Sequence, residues 1–319
     1  YGVEAAGSYR ALVERDDIDI VTICTPSGAH LEPAVMAAQH GKHVLCEKPF
    51  EVTLPRVDRM IEVCKTHQVL LGGIFQSRMS EVYQRIERAV DDGRFGRITL
   101  GSAYGKWWRS QAYYDSADWR GTQTLDGGGC LMNQSIHAID LLQWIMGPAV
   151  EVRALATTLS HERIEVEDVA VAAIRFASGA LGVIEGATSA WPGHAKRIEI
   201  CGEQGSIATR EDDLVTWTFA KRARGDAALL TRLGARDTGK GGAADPKAIT
   251  YALHQRQFEG FVSALREGRP PAVDGAEGRK SVELILAIYR SAKTGRAVTL
   301  PLSRITPDAV FEAAGERAV

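Results

Sequence analysis

The sequence predicts an α/β chain in two parts, a doubly wound parallel sheet over residues 1–77 and an α+β domain with a large antiparallel open sheet over 78–319. Three observations carry this. Over the first part, short continuous apolar runs alternate with amphipathic helices, the pattern of parallel strands covered on both faces. Beyond about residue 96 strands become frequent and helices between them scarce. Within that second stretch, "ASGA" (177–180) and "GEQG" (202–205) are hairpin turn signals.

In order, "DIVTICTP" (19–26) is a β-rich run stopped by Pro26, and "EPAVMAAQHGK" (32–42) is a helix with Gly41 at its end. "HVLCEKP" (43–49) is the next strand, "TLPRVDRMIEVCKTH" (53–67) the next helix and "VLLGGIFQS" (69–77) the third strand. A linking helix covers 81–96. Strands are expected at 97–104, 150–159, 169–177, 180–190, 196–202, 205–210 and 214–220. Residues 221–247, rich in Gly, Ala and charge, read as a loop. Helices at 250–267 and 276–294 and the strand "AVTLPL" close the chain, with no internal repeat or low-complexity tract.

Lys plus Arg number 38 and Asp plus Glu 40, a net charge of −2 without a block of like charge, so nucleic acid is not an expected partner. No apolar run approaches the roughly 20 residues that span a bilayer, so neither is a membrane. Five scattered cysteines without a C-x-x-C pair suggest a reducing cytoplasm.

Ligands of open parallel sheets bind beyond the carboxyl ends of the strands. Thr25, Pro26, Glu47, Lys48, Pro49 and Gln76 stand there. A loop lysine is ordinarily solvated, but Pro49 restricts the backbone of Lys48 and fixes where its side chain departs. An ammonium so placed can steady the oxygen of an alcohol that is losing a hydride. His30 reads first as an ordinary polar residue at a helix start, although Ser27 and Gly28 would let a ribose or phosphate approach the backbone.

The second cluster is "GGGCLMNQSIHAIDLLQW" (127–144). At helical spacing, Asn133, His137 and Asp140 share one stripe flanked by apolar residues. A lone histidine on an apolar helix is more often a satisfied core residue than a catalyst. Here polar neighbours and three glycines, which let another backbone or a flat ligand ring come close, favour a catalytic imidazole. Such a group titrates near neutrality and can take an alcohol proton. No histidine or cysteine stands at ligand spacing from it, so no metal is expected, and there is no nucleophile signature.

"TICTPSGAH" (22–30) with "GKHVLCEKP" (41–49), "GGGCLMNQSIHAIDLL" and "VDGAEGRKSVELILAIYRSAKTGRAVTLP" (273–301) resemble the glucose-fructose oxidoreductase, inositol dehydrogenase and MocA family of NAD(P)-dependent oxidoreductases. The resemblance covers essentially the whole chain. It implies an NAD or NADP cofactor and a sugar, cyclitol or sugar-derivative substrate. By the same resemblance Lys48 is the catalytic lysine and His137 the general acid/base, with Asn133 beside it. Thr25, Pro26, His30, Glu47 and Pro49 would line the cofactor cleft, and Gln76, Trp119 and Arg120 would lie near the nicotinamide and substrate. A homodimer or homotetramer is expected.

Two departures follow. Family members commonly have aspartate where this chain has Asn133, so His137 should be less basic here. The first strand, its G-x-G-x-x-G turn and the acidic end of the second strand do not occur ahead of Tyr1, so roughly 60 residues, two strand-helix units, are expected to be missing from an N-terminally incomplete Rossmann-type sheet. That leaves a regulatory ligand-binding protein, or an inactive truncated homologue, as the alternative to an enzyme.

Overall fold

A computed structural model describes residues 2–234 and 251–302. After a short helix α1 (Tyr9–Val13), three strands, β1 (Ile20–Ile23), β2 (His43–Cys46) and β3 (Leu71–Gly73), pair in parallel in the order β1-β2-β3. Helices α2 (Leu31–Gln39) and α3 (Leu54–Thr66) are the crossovers such pairing requires. Helix α3 buries Leu54, Val57, Met60, Val63 and Cys64, which recur at helical spacing. Each large side chain buried this way contributes about 1.5–3 kcal/mol. The third strand is shorter than the sequence suggests, because a 3-10 turn over Gln76–Met79 takes up its end.

Helix α4 (Glu81–Asp91) leads to an eight-stranded sheet ordered β10-β9-β8-β4-β7-β6-β5-β11. Its strands are β4 (Ile98–Lys106), β5 (Ala149–Thr157), β6 (Val169–Phe176), β7 (Leu181–Ala187), β8 (Arg197–Gly202), β9 (Gly205–Arg210), β10 (Asp213–Phe219) and β11 (Val298–Thr299). Both hairpin turn signals join antiparallel neighbours, β6 to β7 and β8 to β9. One pair departs from the antiparallel expectation, since β4 and β7 run parallel. The long excursion between them, through α5 (Gln111–Tyr114), α6 (Ile136–Met146), β5 and β6, makes this crossover possible.

Helix α7 (Asp226–Leu233) corrects the expectation of a loop over 221–247. Its Ala-Ala-Leu-Leu run is helix-favouring and outweighs the flanking glycines. Residues 235–250 of that stretch lie outside the described residues. Helices α8 (Ala252–Arg266) and α9 (Gly275–Thr294) return to the first sheet. Phe261 of α8 packs on Leu45 and Ile74, while Gly73 N–H donates to Val273 O at 2.9 Å beside the edge of β3. Asp274 caps α9 by accepting from Glu277 N at 2.9 Å, and Gly295 in the left-handed region ends it. No helix of the described residues is long and apolar enough to cross a membrane.

Candidate active site

The carboxyl end of β2 runs directly into Glu47, Lys48 and Pro49, with a cis peptide between the last two. Glu47 N–H donates to Ile23 O at 2.9 Å, so this turn is held against the end of β1. Lys48 Nζ reaches across the cleft and donates to the backbone carbonyl of Asn133 at 2.6 Å. Burial lowers its pKa, Glu47 and Asp126 oppose that, and the positive charges of Arg109 and Arg120 add to it.

The segment that meets it is not one α-helix. Cys130–Ser135 forms a π-helix, and the α-helical register begins only at Ile136. The common stripe expected of Asn133, His137 and Asp140 therefore loses Asn133, because 3.6-residue spacing does not hold across a turn with i→i+5 bonds, whereas His137 and Asp140 keep their i, i+3 relation within α6. Asn133 Nδ2 bonds to Asp126 and its Oδ1 accepts from Gln134 Nε2 at 2.7 Å. Asp140, 1 % exposed, turns away into a bidentate pair with Arg78 at 2.8 and 2.7 Å and accepts from Ser281 Oγ at 3.0 Å. His137 lies close enough to Lys48 to feel its charge.

Burial, followed by the positive charge of Lys48, Lys196 and His254, drives the pKa of His137 well below 6.5. The imidazole is therefore neutral at physiological pH. Its Nε2 lies 3.5 Å from Gln76 Nε2, while its Nδ1 is buried without a partner. Gln76 Oε1 is likewise unpartnered.

The three glycines serve the protein's own packing. A β-carbon at Gly128 (φ +155) would stand 2.1 Å from Tyr289 Oη, and one at Gly129 would stand 1.9 Å from Glu167 O. Glu167 accepts from the N–H groups of Gly129 (3.0 Å) and Leu131 (2.9 Å) and from Tyr289 Oη (2.8 Å), which anchors the start of the π-helix. Gly28 behaves similarly: the backbone of Thr124–Leu125 packs against it, with Gly28 N–H donating to Leu125 O at 2.9 Å.

Thr25, Pro26, Glu47, Lys48, Pro49 and Gln76 all gather at the carboxyl edge of the small sheet. His30 does not reach the cleft surface. It is 1 % exposed, with Nδ1 2.9 Å from Pro49 O and Nε2 2.9 Å from Thr25 O, and it ties the two loops together. Trp119 stacks on Arg120, whose guanidinium carbon lies 4.5 Å from that ring and 4.3 Å from the ring of Tyr113. Sequence reasoning missed Asp126, Gln134, Arg109 and Tyr113. The first two adjoin the glycine motif and its asparagine, and the dense mixture of aromatics and arginine in "KWWRSQAYYDSADWR" (106–120) was the available signal for the others. Among the described residues no group of three or more His, Cys, Asp or Glu could hold a metal ion.

An ammonium at the carboxyl end of a parallel strand, with a buried imidazole near enough to feel its charge, is an arrangement suited to a nicotinamide-dependent oxidoreductase. The chain belongs to the GFO/IDH/MocA oxidoreductase family: residues 1–74 match its NAD-binding Rossmann fold and residues 83–208 its C-terminal domain. Over 91 % of its length it is 30 % identical to myo-inositol 2-dehydrogenase of Thermotoga maritima, covering 82 % of that protein. It is 26 % identical to inositol 2-dehydrogenase of Rhizobium meliloti over 94 % of the chain and 86 % of that relative. The WlbA dehydrogenase of Bordetella pertussis, solved in complex with NADH and UDP-GlcNAcA, superposes with a TM-score of 0.84 at 34 % identity, over 95 % of this chain and 84 % of that one.

Proposed function

We propose that this NAD-dependent oxidoreductase oxidises a secondary hydroxyl of a sugar, cyclitol or sugar derivative, with Lys48 and His137 as its catalytic pair. The observation that carries the reading is the bond from Lys48 to the Asn133 carbonyl, four residues ahead of His137, whose imidazole Nδ1 is buried without a partner. The residues present fit the nicotinamide end of the cofactor. Thr25, Pro26, Glu47, Pro49 and Gln76 would hold it at the strand ends, and the unpartnered Gln76 Oε1 asks for a donor that the protein does not supply. Bound NAD supplies the hydride acceptor. Lys48 donates to the substrate oxygen and favours its alkoxide character. His137, kept neutral by its surroundings, takes the hydroxyl proton.

The outer face of the large sheet supports a homodimer or homotetramer. Leu100 and Leu181 are paired neighbours there, as are Leu155 and Val171, and Leu155 is 71 % exposed. Arg175 and Glu185 share this face, so a second copy related by a two-fold axis could match both apolar area and charge. Light scattering that gives the 34.6 kDa monomer mass would reject the assembly. Five free cysteines fit a reducing cytoplasm.

The deciding experiment incubates the purified chain with NAD and a panel of cyclitols, hexoses and uronates, free and UDP-linked, while NADH absorbance is followed. NADH formation with at least one member is expected. If none reacts although NADH binds, the dehydrogenase reading fails.

A further inference from the structure

Beside Lys48 lies a charged cluster that hydride transfer does not use. Arg120 Nη1 donates to Tyr113 Oη at 2.6 Å, and Gln134 Nε2 donates to the same oxygen at 2.9 Å. The Arg109 guanidinium also hydrogen-bonds Tyr113, and it donates through Nη1 to Trp108 O at 2.8 Å. Both guanidiniums stand over the Tyr113 ring, at 5.5 Å for Arg109 and 4.3 Å for Arg120. Arg120 Nε is buried with no hydrogen-bond partner.

The cluster is joined to the reacting centre. Gln134 Nε2 bonds Asn133 Oδ1, and the carbonyl of that same Asn133 holds Lys48. Lys48, Arg109 and Arg120 make three cations, against the carboxylates of Glu47 and Asp126. Burial raises the pKa of Asp126, against the hydrogen bonds from Gly121 N–H and Asn133 and the charges of Lys48 and Arg120, which lower it. Burial also raises the pKa of Tyr113, so its phenol keeps its proton. With N–H donors already directed at its oxygen, that O–H is free to be given to a ligand.

The loop carrying these groups is built to be rigid. Its Arg109 carbonyl faces His161 Nε2 at 2.8 Å, His161 Nδ1 is 2.9 Å from the buried Asp168, and Tyr114 Oη bonds Thr188 Oγ1 at 2.9 Å. Donors held in place this way match an anion without first paying an ordering cost.

We infer that Arg109, Arg120 and Tyr113 form a carboxylate subsite, and that the physiological substrate is a sugar acid whose carboxylate sits there while a ring hydroxyl faces Lys48 and His137. A guanidinium fork suits the two oxygens of a carboxylate, and the unpartnered Nε of Arg120 is a donor that such a group would satisfy. The inference rests on the dehydrogenase reading, and its test separates the two.

With NAD, the kcat/KM of each uronate is compared with that of its neutral hexose, free and UDP-linked, in wild type, Arg120→Met and Arg120→Lys. In parallel, calorimetry measures D-glucuronate and UDP-glucuronate binding to the wild type and both variants in the presence of NADH. The acid should be favoured by about tenfold or more, the preference should collapse in Arg120→Met chiefly through KM, and Arg120→Lys should retain part of it. An equal or better neutral sugar, or a preference that survives Arg120→Met, overturns the subsite while leaving the dehydrogenase intact. If nothing turns over, uronate binding that depends on Arg120 supports the subsite, and absence of such binding overturns it.

Discussion

Lys48 and Asn133, 85 residues apart in the chain, meet through a 2.6 Å hydrogen bond from the lysine ammonium to the asparagine backbone carbonyl. This bond ties the end of β2 to the π-helix and leaves His137 one turn further along the same segment. Because the acceptor is backbone, the contact does not depend on which side chain occupies position 133.

Replacing Lys48 by alanine removes the donor to the substrate oxygen. Turnover should fall by about 100- to 1,000-fold, the scale of losing one such donor, while NADH binding measured by fluorescence remains detectable. Substantial remaining turnover would defeat the assignment of Lys48.

His137→Ala should lower kcat/KM by about 100- to 10,000-fold. The wild-type profile for alcohol oxidation should be bell-shaped. Its acid limb reflects protonation of His137, whose pKa is depressed, so activity should persist well below pH 6.5 before it falls. Its alkaline limb reflects loss of the Lys48 proton, and because burial lowers that pKa the decline should begin below pH 10.5. A wild-type acid limb above pH 6.5 would contradict the neutral-imidazole reading.

Asn133→Asp places a carboxylate one turn ahead of the imidazole. A nearby negative charge favours imidazolium, so the pKa of His137 should rise and the acid limb should move to higher pH. Asp126, which Asn133 now bonds, would compete for the new group's proton and hold the shift below that of an isolated acid. A pH-rate profile identical to wild type counts against this.

Arg78→Met leaves Asp140 buried at the centre of α6 without its counter-charge. Breaking one side of a buried pair costs about 3–5 kcal/mol, so the denaturant midpoint should drop sharply. Asp140→Asn in the Arg78→Met background should recover part of the loss, and a double mutant no better than the single would show that the charge is not the cause.

Much of the fold was legible because periodicity reports burial. The alternation of apolar strands with α2 and α3, the hairpins of the large sheet and the long C-terminal helix all follow from which side chains must leave water. The π-helix was not legible, since Asn133, His137 and Asp140 fit an α-helical stripe equally well on paper. Nor was the role of α7, where local helix propensity competed with flanking glycines and charge.

The amino-acid order by itself determined that Lys48 follows a strand end and that His137 lies on an apolar helix, because proline geometry and hydrophobic spacing act over a few residues. Only the tertiary structure decided which polar groups face one another: that Asn133 serves Lys48 through its carbonyl, that Asp140 belongs to Arg78, that His30 is buried as a tie, and that Arg109, Tyr113 and Arg120 converge. The reason is physical. Buried polar groups must find partners wherever the packed chain offers them, and those partners stand 85 residues away for Lys48 and 141 for Asp140, beyond any local pattern.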